Sequence, residues 1–232
     1  MARTVLITGC NRGLGLEFAY QYARDDWQVH ACARDPSHAE ALQSLQARFP
    51  EQVTLHALDV NRDGQIRALD RALGDTTVDL LINNAGYYGP SGVTFGALER
   101  EFWRQVLETN TISPLMLTQV IYPRIVAGGL KTVAFLSSRV GSIAENGSGG
   151  GYYYRSSKTA LNQAVRSLAI DLAPDGVKVV ALHPGWVQTD MGGSNAPITP
   201  EESVTALRSL LAGVTREQSG SFLNYDGTAL PW

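Results

Sequence analysis

Seven short apolar runs recur along the 232-residue chain. They lie at 3–9 (RTVLITG), 28–33 (QVHACA), 53–59 (VTLHALD), 78–85 (VDLLINNA), 132–138 (TVAFLSS), 177–184 (VKVVALHP) and 219–227 (SGSFLNYDG). They are mostly apolar and β-branched, which predicts strands of a parallel sheet covered on both faces. Between them the apolar positions recur at i, i+3 and i+4, which predicts helices over 14–25, 38–49, 66–73, 98–126, 154–174 and 202–213. Strand and helix alternate from end to end, the signature of βαβ units in a doubly wound sheet. Seven strands and about six helices use up the chain, so residues 1–232 are expected to form one domain. The glycine-rich stretch 145–151 (ENGSGGG) reads as a flexible loop, because the periodicity resumes directly after it.

Composition adds exclusions. An apolar fraction of 44% and a charged fraction of 18% suit a globule with a sizeable core. With 19 basic and 22 acidic residues the net charge is −3, so nucleic acid is a poor partner. No apolar run approaches a membrane span, and the N-terminus enters a strand without a signal peptide's apolar stretch, so a cytoplasmic address is expected. Cys10 and Cys32 lack metal or redox spacing and read as small buried residues. His30, His38, His56 and His183 show no metal-binding spacing, and no metal is expected. Glu201 and Glu202 suit a helix N-terminus after Thr199-Pro200, a stabilising role.

Candidate chemistry begins in the turn after the first strand, TGCNRGLG at 8–15. Gly9, Gly13 and Gly15 let backbone approach a ligand closely, and amides at a helix start favour phosphate. The candidate cradle is Gly9, Asn11, Arg12, Gly13, Leu14 and Gly15. The second strand ends in Ala33-Arg34-Asp35, offering an arginine for a 2′-phosphate and a carboxylate for a ribose 2′-OH. Arg12 and Arg34 are expected to converge on a phosphate dianion, which favours NADPH. The alternative is that Asp35 folds inward and NADH binds.

A second candidate lies in GYYYRSSK (151–158). Tyr154 and Lys158 are four residues apart and share a helix face, unlike Tyr152 and Tyr153. An ammonium beside a phenol is expected to lower the phenol's pKa and make it a proton donor and acceptor near neutral pH.

Together these residues resemble the short-chain dehydrogenase/reductase family. The resemblance rests on Thr8-Gly9…Gly13-x-Gly15, Asp59, Asn83-Asn84-Ala85-Gly86, Ser138, Tyr154-x-x-x-Lys158 and Pro184-Gly185…Thr189, in that order over nearly the whole chain. SSRVGSI, GGGYYYRSSKTALN, ALHPGWVQTDMGG and GSFLNYDGT look closer still to its carbonyl-reductase branch, which includes sniffer and the bacterial C-factor. The resemblance implies a Rossmann-like fold and NADPH-linked reduction of a small carbonyl compound. It implies Tyr154 as general acid/base, Lys158 as its electrostatic partner and a ribose ligand, Ser138 orienting the substrate oxygen, and Asn110 completing a tetrad. Asp59 and Val60 would contact adenine. Asn83, Ala85 and Gly86 would line the nucleotide cleft, and Pro184, Gly185, Val187 and Thr189 would hold the nicotinamide end. By analogy with relatives, the long helices at 98–126 and 152–174, with Phe102 and Trp103, could pair subunits in a homodimer or homotetramer.

Pro114 follows Asn110 by four residues in a helical pattern and removes the N–H that the Asn110 carbonyl would accept from. A kink is expected there, with the freed carbonyl able to hold a water in a proton relay. Ser138 stands sixteen residues before Tyr154, a longer spacing than the family usually shows, with Gly147, Gly149, Gly150 and Gly151 supplying the extra loop. Ser137 and Ser142 are therefore rivals, and Ser138 is preferred because it ends a strand. Tyr87, Tyr88, Pro90, Trp186, Met191 and residues 192–197 are candidates for an apolar substrate pocket and lid, and Tyr152 and Tyr153 for cover at its mouth. Two other functions stay open: a nucleotide-binding signalling protein of C-factor type, and an NAD-linked alcohol dehydrogenase.

Overall fold

Each apolar run becomes a strand because both its faces are covered. The structure is a computed structural model and describes residues 2–232. Its strands are β1 (Thr4–Thr8), β2 (Gln28–Ala33), β3 (Val53–Ala57), β4 (Leu80–Asn83), β5 (Thr132–Leu136), β6 (Lys178–His183) and β7 (Phe222–Asn224). They form one seven-stranded sheet in the order β3-β2-β1-β4-β5-β6-β7, each neighbouring pair parallel. The pleat sends Val5 and Ile7 of β1 into one apolar cluster and Leu6 into the other. The first cluster is completed by α1 (Gly13–Arg24), α2 (Glu40–Arg48) and α7 (Pro200–Gly213), through Phe18, Leu42 and Leu207. The second is completed by α3 (Asp63–Ala72), α5 (Ser113–Ala127) and α6 (Tyr152–Asp171), through Ile66, Leu117 and Leu161. This is the expected Rossmann-like sandwich.

The strand order reverses beside β1, which pairs with both β2 and β4. Such a switch point opens a crevice at the carboxyl ends of the strands. The turns after β1, β4, β5 and β6, which carry the candidate residues, all emerge at that edge.

The helical stretch expected over 98–126 divides in three. The helix α4 (Arg100–Leu107) passes into a π turn, Glu108–Ile112, and then into α5. The Ser113 N–H reaches back to the Glu108 carbonyl, five residues away. The missing Pro114 N–H is thus absorbed by a widened turn rather than a plain kink. At the other end of the sheet, Ala127 leads to a backbone junction built on Asp79, which is buried. Its carboxylate accepts from the amides of Thr4 (2.8 Å), Gly129 (2.7 Å) and Leu130 (3.2 Å). Cys10 and Cys32 are free and buried. Among the described residues no helix is long and apolar enough to cross a membrane.

Removing the Asp79 carboxylate strands three amides, that of Thr4 buried and those of Gly129 and Leu130 partly buried. Asp79→Ala is expected to lower unfolding free energy by about 3 kcal/mol, seen as an earlier urea midpoint at unchanged slope.

Candidate active site

The helix α6 starts on Gly151, whose φ of +58° turns the chain out of the glycine loop. Its tyrosines then separate by angle. Tyr153 is buried, its hydroxyl accepts from the Glu99 amide at 2.6 Å, and its ring meets Trp103 edge-on. It is a core residue, not a cover for the mouth, because a position one residue from Tyr154 faces α4. Tyr152 is half-buried, with its ring 6.1 Å from Phe95. Tyr154 faces the crevice. Lys158, 4% exposed, lies one turn on, with Nζ 5.5 Å from the centre of the Tyr154 ring. That ammonium donates to the Leu136 carbonyl at 2.7 Å.

The electrostatics correct one expectation. The Tyr154 phenol is pushed up from its ordinary 10.0, not down: burial is the largest cause, Tyr88 adds to it, and a hydrogen bond with Ser138 pulls back. Lys158 is pushed down to about 8 by burial. The ammonium sits against the ring and is bound to a carbonyl, so desolvation, which penalises both charged forms, outweighs mutual attraction.

The three serines have different partners. The Ser137 hydroxyl is buried and donates to Asn162 Oδ1 at 2.6 Å, and that of Ser142 donates to the Trp232 carbonyl at 2.9 Å. Ser138, two residues past the end of β5, is half-buried, and its hydroxyl tends to lower the Tyr154 pKa. Asn110, in the π turn, is 1% exposed. Its Oδ1 accepts from the Tyr87 amide at 2.8 Å, and its Nδ2 donates to the Tyr87 carbonyl at 2.8 Å and to Ser157 Oγ at 3.0 Å. The side chain is therefore spent on holding the loop after β4. In that loop a Cβ on Gly86 would lie 3.4 Å from Asn110 Oδ1 and 3.9 Å from Lys158 Nζ.

The turn after β1 is tight for a measurable reason. A Cβ on Gly15 would stand 2.2 Å from the Gly9 carbonyl oxygen, and Gly9 itself has φ +72°. Asn84 staples the turn to β4 by donating to the carbonyls of Thr8 (2.8 Å) and Gly9 (3.2 Å), and Thr8 Oγ1 accepts from the amides of Asn84 and Ala85. Sequence reasoning gave Thr8 and Asn84 no role of their own, although both stand in the quoted motifs. The side chain before α1, Arg12, caps nothing, and the first turn holds no acid, so its amides are left for an external anion. Asn11 is exposed and Leu14 half-buried beside them. Thr189 faces Gly13 across the crevice, its methyl 3.5 Å from where a Gly13 Cβ would be.

The expected convergence of Arg12 with Arg34 is not observed. Arg12 is paired with Asp190 at 3.2 Å on the surface, since the loop after β6 folds over the glycine turn. Arg34 instead borders an open polar cleft of about 730 Å³ with Asp59, Asn61 and Arg62. Asp35 turns away from that cleft and accepts from the Ser37 amide (3.1 Å), the Ser37 hydroxyl (2.5 Å) and His38 Nδ1 (2.7 Å). Val60 is half-buried next to Asp59. Asn83 donates to Thr118 Oγ1 at 3.1 Å, and its own Oδ1 is buried without a partner. The Pro184 carbonyl accepts from Ser203 at 2.6 Å; Gly185, with φ +85°, packs on Ile198, and Val187 bridges to that same Ile198.

Around this group the large apolar side chains are exposed. The Tyr88 ring lies 4.8 Å from that of Tyr154, and Tyr87, Trp186 and Met191 are also open to solvent. A separate cavity of about 460 Å³ lies behind the glycine loop, between Asn146, Tyr152, Arg155 and Thr159, and contains neither Tyr154 nor Lys158. The His30 and His56 rings share a contact of 2.9 Å. Among the described residues no cluster of three or more histidines, cysteines or acids is placed to hold a metal.

The chain is similar to known proteins over most of its length. A family model described as short chain dehydrogenase matches residues 3–198. C-signal of Myxococcus xanthus is 44% identical over 155 residues, covering 67% of this chain and 93% of that protein. The structure of Sniffer, a carbonyl reductase of D. melanogaster, superposes with a TM-score of 0.91 at 34% identity over the whole of both chains. An NADPH-bound carbonyl reductase from chicken fatty liver gives a TM-score of 0.93 at 33% identity, covering 100% of this chain and 99% of that one.

The depressed Lys158 makes a signed prediction. Between about 8 and 10.5 the unfolded chain holds this proton and the folded one does not, so this group's contribution to stability should rise with pH across that window. Below about 8 both states are charged and the contribution is flat. In urea titrations the stability difference between the wild type and Lys158→Met should shift in favour of the wild type across this window.

Proposed function

We propose, from the premise that this chain belongs to the short chain dehydrogenase family, that it is an NADPH-dependent carbonyl reductase. The observation that carries the reading is the meeting of Tyr154, Lys158 and Ser138 at the carboxyl edge of the sheet, beside an uncapped glycine turn. The likeness to an NADPH-bound carbonyl reductase and to Sniffer supports it.

The residues present fit such a cofactor. The bare backbone of Gly9 to Gly15 and the free amides of α1 suit a pyrophosphate, with Asn11, Gly13 and Leu14 nearest. Arg34 is available to a 2′-phosphate, and Asp35 is already satisfied by its own turn. Asp59 and Val60 would take adenine; Asn83, Ala85 and Gly86 would wall the cleft; Tyr154 and Lys158 would reach the ribose. Pro184, Gly185, Val187 and Thr189 would hold the nicotinamide end. Bound there, the cofactor would supply the hydride.

The chain's own residues would manage the proton. The Ser138 and Tyr154 hydroxyls orient the substrate carbonyl oxygen and stabilise the negative charge that grows on it. Tyr154 then gives that oxygen its proton. The raised phenol pKa keeps this donor loaded at neutral pH, and the Lys158 ammonium lessens the cost of the phenolate left behind. With the Asn110 side chain occupied, its carbonyl in the π turn is the remaining group for a relay water. Tyr88, Trp186 and Met191 offer an apolar mouth suited to a small or aromatic carbonyl.

A second reading, a nucleotide-binding signalling protein, is favoured by the 44% identity to C-signal. The assembled Tyr154, Lys158 and Ser138 favour the enzyme, since a binding module has no need of a positioned phenol. An NAD-linked alcohol dehydrogenase is disfavoured by the turned-away Asp35.

Tyr154→Phe is expected to cut NADPH-dependent turnover by about 10²–10⁴ while NADPH still binds; near-full activity removes Tyr154 from its role. Arg34→Ala should weaken NADPH binding and leave NADH binding alone, and equal losses for both would overturn the phosphate contact. Reduction should be flat below pH about 8 and fall above it as Lys158 loses its charge, a slope measurable by loss of reduced-cofactor absorbance.

A further inference from the structure

We infer that Trp232 and Ser142 form a latch by which the C-terminal segment positions the catalytic loop that starts at Ser138, making both positioning residues for the reaction. The inference rests on the carbonyl-reductase reading above. Ser138 begins a short 3-10 turn, Arg139–Gly141, in which the Gly141 amide donates to the Ser138 carbonyl at 2.8 Å. The Ser138 side chain caps nothing, so its direction is set by the backbone that carries it. Its far end is held only at a few points, with the Ser148 hydroxyl accepting from Arg155 at 2.8 Å and the Gly149 amide donating to Asn146 Oδ1 at 3.0 Å. Gly149, Gly150 and Gly151 are all left-handed, and a Cβ on Gly147, Gly149 or Gly150 would touch nothing within 4 Å. Order in residues 138–145 comes chiefly from what they rest on.

Two supports are present. On the inner side, Thr159 of α6 donates to the Gly141 carbonyl at 2.8 Å. On the outer side, the Trp232 carbonyl accepts from the Ser142 hydroxyl (2.9 Å) and from the Ala144 amide (3.1 Å). Ser142 is 1% exposed, and its oxygen also accepts from the Glu145 amide at 3.2 Å, so one hydroxyl ties the tail to both halves of the loop. Arg139 closes the same loop on Glu145 with contacts of 2.6 and 2.8 Å. The tail is itself anchored: the Trp232 ring stacks on Phe222 of β7 at 5.7 Å and 19°, and the Leu230 amide donates to the Phe222 carbonyl at 2.8 Å. Phe222 is 1% exposed, so the chain of contacts runs from a rigid strand through the indole to the loop. A displacement of about 1 Å in a positioned group can cost about 10² in rate, which makes this seat relevant to turnover and not only to folding.

The test uses the full chain with Trp232→Ala, Trp232→Phe and Ser142→Ala. Trp232→Ala and Ser142→Ala should each lower kcat by about tenfold, with the NADPH Kd unchanged, and raise amide exchange over residues 139–147. Trp232→Phe should recover most of kcat, and the double variant should lose less than the product of the two single losses. Wild-type kcat in Trp232→Ala, or equal losses of NADPH binding and turnover, would overturn the latch. If the wild type reduces no carbonyl, the reductase reading fails separately, and exchange over 139–147 in Trp232→Ala still decides whether the latch exists.

Discussion

A lysine ammonium held away from water is the constraint on which the candidate site turns. Lys158 is 4% exposed and has one hydrogen bond within the chain, to the Leu136 carbonyl. Burial of that kind is costly unless the charge is used. Room for it is made by glycine on two loops. A Cβ on Gly141 would lie 2.8 Å from that of Lys158, and one on Gly86 would approach Nζ at 3.9 Å. The π turn supplies the third wall, because its extra residue swings Asn110 inward to clamp the loop of Gly86 and Tyr87. Two separate loops and a distorted helix thus enclose one buried cation.

The same burial explains why the phenol and the amine move in opposite directions. Low polarity disfavours any charge, so Tyr154 is held as a neutral donor while Lys158 surrenders its proton more readily than a surface lysine. A site of this kind suits chemistry in which negative charge appears on a partner's oxygen and is met by a hydroxyl proton. The cost of the resulting phenolate falls where the ammonium is nearest, over the ring face.

Much of this was legible in the sequence, for reasons that differ by residue. Parallel strands covered on both faces leave unbroken apolar runs, so all seven could be placed from composition alone. The four-residue spacing of Tyr154 and Lys158 fixes a shared helix face whatever the surroundings. Periodicity does not say where a side chain's end arrives. Arg12 meets Asp190, far along the chain, and no local pattern could announce that pairing. Tyr153 became core because Trp103 and Glu99 of a different segment closed over it. Pro114 showed which N–H was missing but not that a five-residue turn would absorb the loss. The direction of the phenol's shift depended on desolvation, which only the packed structure supplies.

Cofactor preference illustrates how a short turn can decide what a strand end leaves ambiguous. Ala33-Arg34-Asp35 offers a cation and an anion side by side, and either could face a ribose. Pro36 follows, and it pre-sets the backbone for a tight 3-10 turn over Pro36–His38. Asp35 caps that turn, and Ser37, then His38, hold its carboxyl below the ordinary range. A carboxylate already taken up by two side chains and an amide gains little by turning toward a ribose hydroxyl, and would leave the Ser37 amide to water. Among the described residues Arg34 has no such side-chain partner, and it stands at the cleft with Asp59. In the proposed reading, discrimination between a bare and a phosphorylated ribose would rest on the proline and serine behind the strand as much as on the arginine in front of it.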